Sequence, residues 1–215
     1  CLSLYKMADH INNRTYVSYL TSAAVSTLAS EGLMAILPYA QQDKASLKWL
    51  KTELKEIKNA PLSPKPALAG EAEMTLRAMT RESIGELARA RDWDAGTTKK
   101  VRSLGEGAME RNREHFRRHM GRIIEAFDMP YAQGYDAVKK VEKKIRKAVE
   151  GRPKLMVVPL VLLDPGAEVL LTTATRLKTD NNAIRAAIQL YLIRARRGKL
   201  PEKLPADLPR DLFSG

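Results

Sequence analysis

In YDAVKKVEKKIRKAVEG, residues 135–151, the apolar positions Val138, Val141, Ile145 and Val149 recur every three or four residues, and lysines fill the opposite side. That recurrence matches the 3.6-residue turn of an α-helix, whereas a strand requires alternation of two. A helix with such a stripe must cover it with other apolar surface, so the chain is constrained to stack helix on helix.

Comparable stripes run along the rest of the chain. Leu2, Leu4, Tyr5, Ala8 and Ile11 mark a first helix, ended by Asn12 and Asn13, which favour turns. A second helix is expected over 15–37, with Tyr16, Leu20, Ala23, Ala24, Leu28, Leu33 and Ile36 on its inner faces and Pro38 near its end. Asp43 is placed to cap KASLKWLKTELKEIKN, in which Leu47, Leu50, Leu54 and Ile57 repeat. A further helix is expected over 67–91, carrying Leu68, Met74, Leu76, Met79, Ile84 and Leu87. Thr97 or Thr98 would cap a long one reaching Phe127, against the propensity cost of Gly105, Gly107 and Gly121. Pro130 opens the lysine-rich helix. The run LMVVPLVLLDPG reads as a helix interrupted by Pro159, with Asp164 and Pro165 starting the last helix. That helix continues to Arg197 through Leu170, Ala174, Leu177, Ile184, Ala187, Ile188, Tyr191 and Leu192.

The expected fold is therefore all-α, a multi-helix bundle of about six or seven helices with Pro-rich breaks and an irregular C-terminal tail. Only 6% of residues are aromatic, which weighs further against sheet. The chain reads as a single helical domain or a fragment of a larger protein. Its clearest internal boundary is 60–66, where three prolines fall between Pro61 and Pro66. No internal repeat is evident.

The net charge of +12 is unevenly placed: 99–154 holds 16 basic and 8 acidic side chains, net +8, while 1–37 nets zero. A block of this kind suits an acidic protein surface, nucleic acid or acidic headgroups. The interaction surface expected from it is Lys139, Lys140, Lys143 and Lys144 with Arg117 and Arg118. The partner expected is another protein or an acidic surface. A nucleic-acid-associated protein is the alternative, since basic helices supply phosphate affinity. The sequence lacks a helix-turn-helix phrase, finger ligands and an aromatic platform to read bases.

Catalytic patterns are scarce, and the reading leans against an enzyme with no cofactor expected. No GxSxG elbow occurs, and SLGEGAM lacks the Lys and Ser or Thr of a phosphate loop. Glu71 with Glu73, or Asp92 with Asp94, stand two apart and would face different sides of a helix. In EHFRRHM, His115 and His119 lie four apart and share a helix side, which makes them the candidate metal ligands and the basis of a second alternative, a metal-dependent enzyme. The zinc-peptidase pattern needs an acid directly after the first histidine, where Phe116 stands. A structural zinc site wants four N or S ligands, yet His10 is the only other histidine, Cys1 the only cysteine, and Arg113, Arg117, Arg118 and Arg122 repel a cation. No metal is assigned.

No stretch is read as a membrane span. Residues 15–30 are uncharged but rich in Ser and Thr, and the apolar run 155–163 is far short of the roughly 20 residues required. Cys1 stands where a mature lipoprotein carries its acylated cysteine, but LSLYKMADHI follows as helix and not as polar spacer. Because the chain opens without Met and in mid-pattern, it reads as a fragment, and any targeting or anchor segment would lie outside it.

The C-terminal run AIRAAIQLYLIRARRGKLPEKLPADLPRDLFSG ends a helix in a Tyr-bearing apolar turn, then places Gly198, Pro201, Leu204, Asp211, Phe213 and Gly215 after Tyr191. This phrase resembles the post-helix module of type II secretion pseudopilins and of uncharacterised exported bacterial proteins of the planctomycete type. It departs from them at Leu212, where proline is expected; the methylated membrane helix of pseudopilins has no counterpart, and their sheet would begin after Gly215. The resemblance covers about 33 residues, with 198–215 as a truncated pseudopilin-like tail, and implies an exported or envelope-associated bacterial protein. The physical logic is independent of it: Gly198 suits a left-handed helix stop, and Pro201 blocks continuation. The function expected is a non-catalytic helical module acting in protein interaction or scaffolding.

Overall fold

The computed structural model describes residues 1–11, 15–56, 63–80, 95–96, 99, 103–151, 166–209 and 211–213. Among them are seven helices of substantial length and no strand. They are α1 (Leu2–Ile11), α2 (Tyr16–Ala40), α3 (Lys44–Glu56), α4 (Lys65–Ala78), α5 (Glu106–Ala126), α6 (Tyr131–Gly151) and α7 (Ala167–Arg197). The chain divides into two compact units, Cys1–Pro64 with Thr172–Gly215, and Lys65–Leu171. The change at Pro64 falls inside 60–66, whereas the return at Leu171 lies within continuous helix.

In the first unit α1, α2, α3 and α7 share one core. Tyr5, Ala29, Leu33, Leu37, Leu47, Leu50, Leu54, Ile184, Ile188 and Leu192 pack together there. The start of α2 is fixed by Thr15, extended in its backbone, whose Oγ1 accepts the Ser18 amide at 3.2 Å. Asp43 caps α3, its Oδ1 accepting the amides of Ala45 at 2.9 Å and Ser46 at 3.3 Å. These side chains satisfy amide donors that the first helical turn leaves unpaired.

The buried face of α2 is not the one its large apolar residues suggest. Leu20, Leu28 and Ile36 lie exposed, while Ser22, Ala23, Ser26, Ala29 and Ser30 turn inward beside Tyr19, Leu33 and Leu37. Small side chains let α1 approach closely, and each buried hydroxyl needs a partner to offset its desolvation. Ser22 Oγ donates to the Ala8 carbonyl of α1. Ser30 Oγ donates to the Ser26 carbonyl at 3.1 Å, so its lone pairs receive the Tyr5 hydroxyl, 2.6 Å away. The outward side keeps Val17, Leu20, Leu28 and Tyr39, which makes α2 apolar around its circumference. By length and composition it alone, among the described helices, could cross a membrane. Its inner side is committed to α1, α3 and α7 in this fold.

The join between α3 and α7, far apart in sequence, includes a polar clasp. Arg185 Nη2 donates to the Leu54 carbonyl at 2.6 Å near the end of α3, and its Nε donates to Asn181 Oδ1 at 3.1 Å. The guanidinium thus meets a carbonyl in the last turn of α3. Beyond α7, Gly198 takes φ +76° and its amide donates to the Arg194 carbonyl at 2.8 Å, the left-handed stop expected from the sequence. The tail then returns antiparallel to α7: Gln189 Nε2 donates to Asp207 at 2.9 Å, and Thr179 Oγ1 meets Asp211 at 3.4 Å. A short repeat runs through it, Leu-Pro at 200–201, 204–205 and 208–209.

In the second unit α4 and α6 both pack on α5. The inward side of α5 is Met109, Asn112, Phe116, Met120, Ile123 and Ala126, and that of α6 is Val138, Val141 and Ile145. Val149 lies outside the described side chains. At the α5–α6 turn Gly134 passes so close that a Cβ there would sit 2.5 Å from the Ala126 carbonyl oxygen. Two expected boundaries move. The helix expected over 67–91 ends at Ala78, where Thr80 N turns back to the Ala78 carbonyl; Ile84 and Leu87 fall outside the described residues. The long helix expected from Thr97 or Thr98 through Phe127 is not continuous: it is interrupted before Glu106, where Gly105 is extended and its carbonyl starts a new ladder to Ala108 and Met109. Thr97, Thr98, the run 155–163, Asp164 and Pro165 also lie outside the described residues.

Candidate functional site

The charged surface of the second unit is built by the two amphipathic helices α5 and α6. Since Val138, Val141 and Ile145 are spent on the core, the other side of α6 must face water, and that side carries Lys139, Lys140, Lys143, Lys144 and Lys147, all exposed. Lys139 Nζ lies 4.4 Å from the centroid of the Tyr135 ring, a cation–π contact, and the Tyr135 side chain holds its ammonium above the usual lysine range. Lys140, Lys143, Lys144 and Lys147 make no ion pair among the described residues.

Helix α5 treats its arginines in two ways. On one side Glu106, Glu110, Arg113 and Arg117 pair with one another, Arg113 to Glu106 and Glu110 at 3.0 Å each and Arg117 to Glu110 at 3.1 Å. Arg113 also donates to the Met79 carbonyl at 2.9 Å, tying α5 to the end of α4. The two guanidiniums pull the Glu110 carboxyl below the usual carboxylate range. Arg117, expected as a contact residue, is thus largely neutralised by its own helix. On another side His115, Arg118, His119 and Arg122 stand at i, i+3, i+4 and i+7, one stripe of the helix. Arg118 and Arg122 make no ion pair among the described residues, and both are exposed.

The two imidazoles stack, with ring centroids 6.4 Å apart. His115 is exposed, while His119 is half-buried and its Nδ1 is enclosed without a hydrogen-bond partner among the described residues. Burial, then the positive charge of His115, Arg122, Arg118 and Lys144, pushes the His119 imidazole below its ordinary value. Every charged neighbour that acts on it is cationic or becomes so on protonation. The spacing of His115 and His119 is therefore as read from the sequence, but no third ligand joins them: among the described residues no group of three or more His, Cys, Asp or Glu side chains is arranged to hold a metal ion. What the stripe can do chemically is attract an anion.

Of the six contact residues read from the sequence, the structure places Lys139, Lys140, Lys143 and Lys144 on one helix and Arg117 and Arg118 on different sides of another. Sequence reasoning passed over Arg122 and the two histidines as parts of this surface. The signal was present, since four positions spaced 3, 1 and 3 apart share a stripe, but the ion pairs that neutralise Arg117 are not written in the spacing. Comparison with protein families, with curated proteins and with solved structures finds no match to this chain.

Proposed function

We propose that this chain is a non-catalytic helical module that binds an acidic partner, in the first instance another protein, through the outward face of α6. The observation carrying this reading is that Lys140, Lys143, Lys144 and Lys147 crowd one exposed side of a helix without any carboxylate among the described residues neutralising them. Like charges at neighbouring turns repel, so a solvated row of this kind lowers the chain's own stability slightly and is relieved by an opposing surface. The apolar side of α6 is already consumed by its own core, which weighs against insertion of this helix into a bilayer. The tail that follows Gly198 supports placing the module in a bacterial exported or envelope-associated protein, through its resemblance to the pseudopilin phrase.

The test replaces Lys139, Lys140, Lys143 and Lys144 together by alanine. Binding of an acidic polypeptide, duplex DNA and RNA is then measured at two salt concentrations. The reading expects polypeptide binding that weakens with salt and is lost in the variant. Unchanged affinity and salt slope in the variant would remove it. Tighter binding to nucleic acid, with a steep salt slope, would favour the rival reading of a nucleic-acid-associated protein.

A further inference from the structure

The stripe on α5 supports a more specific reading of the same basic surface. From the juxtaposition of Arg118 and Arg122 with the stacked His115–His119 pair on one stripe of α5 we infer a site for a phosphate-type dianion that binds more tightly as the solution becomes acidic. The inference rests on the basic face being a contact surface, but it concerns residues of α5 that the lysine row does not include.

Charge complementarity selects the ligand. Two permanent cations, Arg118 and Arg122, share one stripe of α5 with the stacked imidazoles, and the enclosed Nδ1 of His119 has no hydrogen-bond partner among the described residues. On the far side of α5 Glu106 and Glu110 are matched to arginines, and the same chemistry is available here: Glu114 stands one turn before Arg118, yet the two do not pair. The permanent charge of the cluster is therefore uncompensated among the described residues, and a monoanion such as a carboxylate would leave half of it so. A tetrahedral dianion offers two charges and several acceptor oxygens, suited to guanidinium donors that stand one helical turn, roughly 6 Å, apart.

The imidazole supplies the pH dependence. Unoccupied, the site disfavours a proton on His119, because its α5 neighbours His115, Arg118 and Arg122 and its α6 neighbour Lys144 all oppose it. A bound dianion reverses that field and raises the affinity of the ring for a proton. By reciprocity a protonated ring raises the affinity for the dianion, by the same factor by which the dianion tightens proton binding. A hydroxylated or carboxylated partner lacking a dianion would not show this coupling to the same degree.

Sulfate is the probe of choice, since its own charge stays constant across the range in which histidine titrates. Calorimetric titration of sulfate into the whole chain, in two buffers of different ionisation heat, reads affinity and proton uptake together. The expected result is affinity rising about ten-fold or more between about pH 7.5 and about pH 5.5, with net proton uptake on binding. Arg118→Gln with Arg122→Gln should abolish binding, and His115→Gln with His119→Gln should leave weak binding with a flat pH profile; circular dichroism establishes that each variant is folded. A parallel arm uses phosphatidic acid vesicles against neutral ones. Residue-dependent binding to vesicles beside sulfate identifies a lipid headgroup as the source, and sulfate binding alone identifies a free anion; either result upholds the site. The inference is overturned if neither probe binds, if binding survives the double arginine substitution, or if the pH profile survives the double histidine substitution. The lysine variant keeps Arg118, Arg122 and both histidines, so polypeptide binding can be lost there while sulfate binding persists, and the two readings fail separately.

Discussion

Replacing Gly134 by alanine tests the α5–α6 packing on which the charged surface stands. Propensity alone predicts a gain, because glycine within a helix costs about 1 kcal/mol relative to alanine. The structure predicts the reverse. A Cβ at Gly134 would lie 2.5 Å from the carbonyl oxygen of Ala126 and 3.4 Å from Cδ2 of Leu171. The first neighbour is backbone and cannot swing away, and it also accepts the Met129 amide at 3.2 Å, so displacing it disturbs the turn that joins α5 to α6. Ordinary carbon contacts settle near about 3.5 Å, so the helices must separate by roughly 1 Å. Overpacking of this kind costs about 1–3 kcal/mol, which leaves a net loss of up to about 2 kcal/mol after the propensity gain. Gly121 is the internal control: a Cβ there meets nothing within 4 Å, so Gly121→Ala should stabilise by up to about 1 kcal/mol. Urea unfolding followed by helical circular dichroism measures both. Equal stabilisation by the two alanines would refute the close approach and, with it, the placement of α6 against α5.

Other expectations follow from the same geometry. Leu33→Ala, at a residue 1% exposed in the first unit's core, should cost about 2–5 kcal/mol in equilibrium unfolding, whereas Leu28→Ala on the same helix, 59% exposed, should change stability by less than about 0.5 kcal/mol. If the two cost the same, the assignment of the inner face of α2 is wrong. Thr15→Ala removes the cap that receives the Ser18 amide and should cost about 1 kcal/mol, recovered in large part by Thr15→Asn. Acidification should weaken the second unit through His119. Its folded-state pKa lies below the unfolded value of about 6.5, so its contribution is intact above that pH and is lost as pH falls through the folded value. Thermal denaturation between about pH 8 and about pH 5 should therefore show an acid-side decline that His119→Gln reduces, and an identical decline in both proteins would remove the assignment.

How much of this was legible in the sequence depends on whether a single segment carried its own signal. The stripe Val138, Val141, Ile145 needs only the helical period to be read, and the lysines then have nowhere to go but outward. Asp43 and Gly198 were likewise readable, since a cap or a left-handed stop is chemistry between neighbours in the chain. Helix α2 shows where such reading ends. With apolar side chains around its circumference, no face is distinguished by hydrophobicity, and the larger residues Leu20, Leu28 and Ile36 were the natural choice for the core. The neighbours decided otherwise: α1 can come close only over serine and alanine, and the hydroxyls find partners there in Ala8, Tyr5 and Ser26.

The sequence by itself determined that the chain is helical, where α3 starts, where α7 stops, and that an excess of positive charge must lie outside. Those properties follow from periodicity and from interactions spanning a few residues. Only the tertiary structure decided which face of α2 is buried, that Arg185 closes on the end of α3, and that Arg117 is matched while Arg118 and Arg122 are not. Each of these depends on which surfaces and which rotamers meet in space, and a local pattern of residue types is compatible with more than one such meeting.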